Sequence, residues 1–245
     1  MNKISIIIPV LNEAANIKNV LHHLFEYAFN SADLEIIISD GGSSDGTLDE
    51  VSAFRPHRFL KPMESHCSKI KFIHSEKGRA KQMNAGATHA SGDILYFLHA
   101  DSYPPKHYDK FIIETVQKGK EAGCFRMKFD SKHWWLKLAG WLTALPFRAC
   151  RGGDQSQFIT RDLFEAIGGY DESFTIYEDN DLIKKLYTYN EFVVIPKWLT
   201  TSARCYEKHG VWKTQFHFWR IHLKSRLGAS PKELKSYYIE NLVKT

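Results

Sequence analysis

The sequence predicts an α/β protein: a mainly parallel central sheet flanked by helices, in a single domain of two merged lobes. Two observations carry this expectation. Over the first hundred residues, short continuous apolar runs alternate with helical periodicities, the pattern of parallel strands buried on both faces. No internal repeat or low-complexity linker divides the 245 residues. Residues 3–8 are a β-branched run and form the first strand. Ile17, Val20, Leu21, Leu24, Phe25 and Ala28 then fall at helical spacing, with Asn12 or Asn16 near the cap. Residues 34–39 form a second strand that runs into Asp40-Gly41-Gly42-Ser43-Ser44-Asp45-Gly46, and a helix follows over residues 47–54. Residues 70–74, 80–89 and 93–99 continue the alternation as strand, helix and strand.

After Pro104-Pro105 the rhythm changes. A helix over residues 108–119 leads to an alternating, more exposed strand at 123–129, then to an aromatic amphipathic helix at 134–145. The loop Arg151-Gly152-Gly153-Asp154-Gln155 precedes two helices, at 161–167 and 179–189, and a last strand at 193–196. A basic aromatic helix at 211–227 and a tail close the chain. In it Trp212, Phe216, Trp219 and Leu223 share one helical face beside Lys213, Arg220 and Lys224. That face reads first as packed core and alternatively as an interfacial helix on anionic lipid. Trp134, Leu138, Trp141, Leu142 and Leu145 read as core or as the wall of an acceptor site.

Composition narrows the class. Hydrophobic residues make up 43% and charged residues 25%, values that exclude a disordered or collagen-like chain. The 33 Lys and Arg against 28 Asp and Glu leave a net charge of +5, compatible with an anionic ligand or membrane surface without demanding nucleic acid. Cys67, Cys124, Cys150 and Cys205 stand far apart with no C-x-x-C pair, so they read as reduced thiols. No run reaches the roughly 18 apolar residues of a membrane span, and the apolar start at residues 4–11 is short for a secretory signal. The expectation is a cytoplasmic protein, at most peripheral to the inner face of a membrane.

In open parallel sheets, ligands sit beyond the carboxyl ends of the strands. The polar clusters fall at those ends: Asn12-Glu13 after the first strand, residues 40–46 after the second and His99-Ala100-Asp101 after the fourth. Asp40 and the glycines behind it suit hydrogen bonding to a base or ribose, while Asp45 suits a helix cap. Asp101 ends an apolar strand; it either caps the turn toward Pro104 or holds a hard divalent cation whose other ligands come from a diphosphate. Glu178-Asp179 opens a helix, where acids complement the dipole and where a general base would be rigidly held. Arg79, with Lys77 and Lys81, starts a helix with basic residues, which reads either as a phosphate contact at the helix N-terminus or as a solvated basic face. The P-loop and G-x-G-x-x-G signatures are absent.

Taken together, these residues resemble the family-2 glycosyltransferases. The resemblance rests on Ile4 to Glu13 (ISIIIPVLNE), Ser39 to Thr47 (SDGGSSDGT), Gly78-Arg79-Ala80, Asn84-Ala85-Gly86-Ala87 and Phe97-Leu98-His99-Ala100-Asp101. Gly153-Asp154-Gln155, Gly168-Gly169-Tyr170 and Glu178-Asp179-Asn180-Asp181-Leu182 extend it, so that it covers about residues 3–210. The H-A-D form, the G-D-Q loop and Arg204 followed by His209-Gly210 look most like the radical-SAM/selenodomain-associated transferase subgroup. The resemblance implies a GT-A fold: a nucleotide-binding lobe (1–103), an acceptor lobe (104–210) and a C-terminal helix and tail (211–245). It implies a nucleotide-diphospho-sugar donor, a hydroxyl acceptor that a lipid could carry, inverting transfer, and Mn²⁺ or Mg²⁺. Asp179 matches the catalytic base, with Glu178 as its substitute. Pro9, Asn12, Glu13, Asp40, Gly42, Ser43, Arg79, Asn84, His99, Ala100 and Arg204 fall at the nucleotide-sugar site. Gly153, Asp154, Gln155 and Trp141 would face donor sugar or acceptor, Asp101 would bind the metal, and His209 could join it. His99 stands where the D-x-D motif has its first Asp. Two rivals accompany this reading: a non-catalytic sugar-nucleotide sensor or scaffold, and a nucleotidyltransferase, whose basic glycine-rich loop after the first strand is missing.

Overall fold

The computed structural model describes residues 3–55, 69–189 and 192–243, and Cys67 lies outside them. Its centre is an eight-stranded mixed, mostly parallel sheet: β1 (Ile4–Val10), β2 (Glu35–Asp40), β3 (Lys69–His74), β4 (Ile94–Phe97), β5 (Ser102–Tyr103), β6 (Ala122–Phe129), β7 (Gln157–Thr160) and β8 (Phe192–Thr201), in the order β3-β2-β1-β4-β7-β6-β8-β5. β1 pairs in parallel with both β2 and β4, and β2 in parallel with β3. β7 runs antiparallel between β4 and β6, β8 lies parallel to β6, and β5 antiparallel to β8.

Alternation along the strands divides the core between the two faces of the sheet. Ile6 and Ile8 of β1 pack with Ile17, Val20, Leu21 and Leu24 of α1 (Ala14–Tyr27), on the face that also receives Tyr108 and Ile112 of α4 (Tyr108–Gln117). Ile7 packs on the other face with Ala80, Met83 and Ala87 of α3 (Arg79–His89), Leu163 and Phe164 of α6 (Arg161–Ala166), and Leu182 and Leu186 of α7 (Glu178–Thr188). A side chain at Gly86 would overlap Ile7 Cγ2, so the glycine lets α3 lie directly on β1.

The first four strands and the helices between them fall where the periodicity predicts. The α1 cap is Glu13, next to Asn12 as expected, whereas α2 (Thr47–Ala53) follows Gly46, in the left-handed region at φ 88°, rather than Asp45. The last strand is longer than residues 193–196. A bulge opposite Phe125/Arg126 takes up Pro196 and Lys197, and pairing then resumes to Thr201. β5, β7, α8 (Arg204–His209) and α10 (Pro231–Tyr238) were not anticipated.

The main correction concerns the aromatic helices α5 (Trp134–Leu142) and α9 (Val211–Arg226). The stripe Trp212, Phe216, Trp219 and Leu223 is not core: these side chains are 51–58% exposed, and α9 instead buries Thr214 and Ile221. On α5, Leu136 and Gly140 face inward, while Trp134, Leu138 and Trp141 face out. Periodicity had revealed an apolar face without revealing what covers it.

Candidate active site

The strand order reverses between β1 and β4, which places a crevice at their carboxyl ends. Its β1–β2 side is laced together. The Asn12 N–H donates to Ser43 Oγ (2.9 Å), the Ser44 N–H to Asn12 Oδ1 (2.9 Å), the Glu13 N–H to Thr47 Oγ1 (3.0 Å) and the Ala14 N–H to Asp45 Oδ2 (3.0 Å). Asp40, only 3% exposed, accepts from the N–H groups of Gly42 (3.0 Å) and Ser43 (3.1 Å) and so shapes the glycine loop itself. Gly42, at φ 94°, supplies the left-handed turn. Asp45 is structural, as expected, holding Ala14 and Thr47. Gln82, which the sequence reading did not single out, joins the two strand ends by donating to the carbonyls of Val10 (2.7 Å) and Ser39 (2.8 Å). Its signal in the sequence was a long polar residue beside Met83 on the side of α3 that Ala80 and Ala87 bury.

Arg204, brought in from α8, closes this side. Its Nη atoms donate to both Glu13 carboxylate oxygens (2.6 and 2.9 Å), and its Nε lies 3.0 Å from Asp101 Oδ2. The fork geometry suits two carboxylates at once. Burial pushes the Asp101 carboxyl up from its ordinary value, and the Arg204 guanidinium works against that rise.

The opposite side is different in kind. Glu178 and Asp179, at the start of α7, are 2% and 5% exposed. Tyr177 precedes them in the left-handed conformation, at φ 71°. Neither Glu178 oxygen has a hydrogen-bond partner, and its nearest cation is Arg79, with Nη1 3.5 Å from Oε1. Asp179 Oδ2 lies 3.8 Å from His99 Nε2. Burial, then the positive charges of Arg79 and Arg204, lower the His99 pKa to about 3, so a neutral imidazole faces this acid. Burial and the charge of Glu178 raise the Asp179 carboxyl to about 8, with Arg79 opposing. A Cβ on Gly153 would overlap Asp179 Oδ2, so only glycine lets the backbone of that turn pass the acid.

The structure therefore gathers Glu13, Arg204 and Asp101 into one ion-paired group, and His99, Arg79, Gly153, Glu178 and Asp179 into another. Pro9 lies in β1 opposite Ser39, and Ala100 is buried in the core. Asn84 has its amide committed to the Tyr170 backbone, accepting its N–H (3.0 Å) and donating to its carbonyl (2.9 Å). Gln155 is a buried brace that donates to the Phe125 carbonyl (3.2 Å) and accepts from the Gly152 N–H (3.0 Å). Asp154 is exposed on the same turn. Trp141 stands on the exposed face of α5, and His209 ends α8. Among the described residues no three His, Cys, Asp or Glu side chains are grouped to hold a metal ion. Asp101 still fits a hard divalent cation that takes one carboxylate and completes its shell with substrate phosphate and water.

The chain and its fold have known counterparts. One relative is the dolichyl N-acetyl-alpha-D-glucosaminyl phosphate 3-beta-D-2,3-diacetamido-2,3-dideoxy-beta-D-glucuronosyltransferase of Methanococcus voltae. It is 35% identical over 123 residues, covering 49% of this chain and 36% of its own length. Two solved structures share the fold. S. aureus TarS 1–349 in complex with UDP-GlcNAc has a TM-score of 0.65 at 20% identity, covering 82% of this chain and 58% of its own. The mannosyltransferase PcManGT from Pyrobaculum calidifontis, in complex with GDP-Man and Mn²⁺, has a TM-score of 0.62 at 20% identity, covering 92% and 62%. This chain thus spans about a third of that relative and some three-fifths of those structures. The family model "Glycosyl transferase family 2" matches residues 5–174, and with a GT-A fold beneath that match the chain belongs to the family-2 glycosyltransferases.

Proposed function

We propose that this chain transfers a sugar from a nucleotide-diphosphate donor to a hydroxyl acceptor with inversion at the anomeric carbon, and that Asp179 is the general base. The observation that carries the proposal is the Asp179 carboxylate, buried beside neutral His99 and the Gly153 backbone and raised toward neutral pH, where a base works best. As the acceptor oxygen attacks, its proton passes to Asp179. A new bond forms from that oxygen to the anomeric carbon while the bond to the diphosphate oxygen breaks, and its electron pair leaves with the nucleoside diphosphate. Attack opposite the departing group inverts the carbon.

Arg204 and Arg79 offset the charge on the departing diphosphate. Asp40 and the Gly42–Ser43 loop would receive base and ribose, with Asp154 near the acceptor. A divalent ion held by Asp101 would supply further charge stabilisation on the diphosphate. The H-A-D form and the G-D-Q loop support placing the chain in the radical-SAM/selenodomain-associated subgroup, and the lobes at 1–103 and 104–210 would carry donor and acceptor. The dolichyl-linked acceptor in the name of the M. voltae relative supports a lipid-linked acceptor.

Thermal unfolding against UDP, GDP, CDP and dTDP, each with Mn²⁺, Mg²⁺ or chelator, tests the donor site. A nucleotide at about 100 times its dissociation constant stabilises by roughly 2.7 kcal/mol. One nucleotide should give that shift, and Asp101→Ala should remove its metal-dependent part. No shift with any nucleotide contradicts the reading. Nucleotide release from the matching donor then separates an enzyme from a sensor.

A further inference from the structure

We propose that the outward aromatic faces of α5 and α9 form one surface that docks on an anionic lipid bilayer. The surface is continuous, because rings from the two helices touch: Trp134 and Trp212 have centroids 5.8 Å apart, Trp135 and Trp212 5.5 Å, and Trp135 and Trp219 5.7 Å. Trp135 also ties the helices by donating from its indole N–H to Gln215 Oε1 (3.1 Å). Trp134, Trp141, Trp212, Phe216, Trp219 and Leu223 are each more than half exposed. An apolar patch of this kind on a folded chain marks an interaction site.

Charge identifies the occupant. Neither helix contains an acidic residue, while Lys137 stands on α5 and Lys213, Arg220, Lys224 and Arg226 on α9. Helical spacing sets Lys213, Arg220 and Lys224 along one edge of the α9 stripe and Arg226 on the other; Arg220 lies 5.8 Å from the Phe216 ring centroid, and Arg220 and Lys224 lie 5.6 and 5.3 Å from that of Tyr237. Tryptophan with Lys and Arg on an amphipathic helix is the composition that rests in a headgroup layer and is attracted by anionic lipid. A second copy of the chain packed face to face through this surface would oppose like charges. No described helix is long and apolar enough to cross a membrane, so the surface lies on the bilayer.

The docked helix also reaches the candidate active site. His222 of α9 is hydrogen-bonded through Nδ1 to the Tyr177 hydroxyl (3.0 Å), one residue before Glu178. The docking itself does not depend on the transfer reading and is measured without donor or acceptor.

Co-sedimentation of the 245-residue chain with phosphatidylcholine vesicles, with and without phosphatidylglycerol, tests the proposal. The chain should pellet with the anionic vesicles only, and less so when salt rises from about 0.1 M to about 1 M and shortens the screening length from about 10 Å to about 3 Å. Trp212→Ser with Trp219→Ser, and separately Lys213→Glu with Arg220→Glu, should each weaken binding on the order of tenfold or more. The charge-reversed variant should keep the wild-type melting temperature, since both side chains are exposed, while the tryptophan variant should melt somewhat lower through its lost ring contacts to Trp134 and Trp135 and still unfold cooperatively. Equal partition onto both vesicle types, wild-type binding by the charge-reversed variant, or a dimer that buries the tryptophans without vesicles would each overturn it.

Discussion

Glu35 and Glu178 are almost equally buried, at 1% and 2% exposure, and stand at opposite ends of the same sheet. Glu35 begins β2. Lys71 Nζ lies 2.8 Å from it, the Ser91 N–H (2.7 Å) and hydroxyl (2.9 Å) donate to it, and so does the Ser5 hydroxyl. Burial works to raise its pKa, yet these partners hold it at about 2. Glu178 lies at the carboxyl ends of the strands. It accepts no hydrogen bond, and burial raises its pKa against the pull of Arg79. Both carboxylates are closed to solvent, yet their shifts run in opposite directions: Lys71, Ser5 and Ser91 outweigh desolvation at Glu35, while at Glu178 desolvation outweighs Arg79.

Changes on the two sides should separate accordingly. Asp179→Asn is expected to have the largest effect, a loss of about 10²- to 10⁴-fold in turnover with donor-induced stabilisation retained. The same variant should melt higher near neutral pH. An acid with a raised folded-state pKa contributes stability that is fully present below its unfolded value and is lost as pH rises toward about 8. One pK unit of that shift corresponds to about 1.4 kcal/mol. Gly153→Ala pushes a methyl group onto Asp179 and should cost about 10²-fold in turnover, since displacing a reacting group by about 1 Å costs that much. Glu35→Ala should leave turnover per folded molecule unchanged and lower stability by about 2–3 kcal/mol, read by denaturant unfolding. Its contribution is fully present above the ordinary glutamate value of 4.5 and is lost as pH falls toward about 2.

The same contrast explains what was legible in the sequence. Strands β1 to β4 were readable because continuous apolar runs have no other soluble explanation at that length. Asn12, Asp40 and Asp101 could be placed from their positions at strand ends alone. Glu35 and Gln82 escaped, and Asn84 was expected at the nucleotide-sugar site rather than as a brace on Tyr170, because each acts through partners about 40 to 90 residues away and no local pattern reports a distant donor. β7 has four residues, too few to show a period, and was hidden between a loop and a helix. On α5 and α9 the apolar stripes were legible; of the two readings of the α9 stripe, packed core fails, because its side chains are exposed.

The account rests most heavily on Asp179 as a base whose proton affinity is set by burial and by Glu178. The measurement that tests this directly is the pH dependence of donor turnover in the wild type and in Glu178→Gln. The account predicts a rate that rises with pH through an apparent pKa near 8, shared by the acid pair. In Glu178→Gln that limb should move to lower pH, because the neighbouring negative charge is gone. A rising limb at an ordinary carboxylate pKa near 4, or one that Glu178→Gln leaves in place, would contradict it.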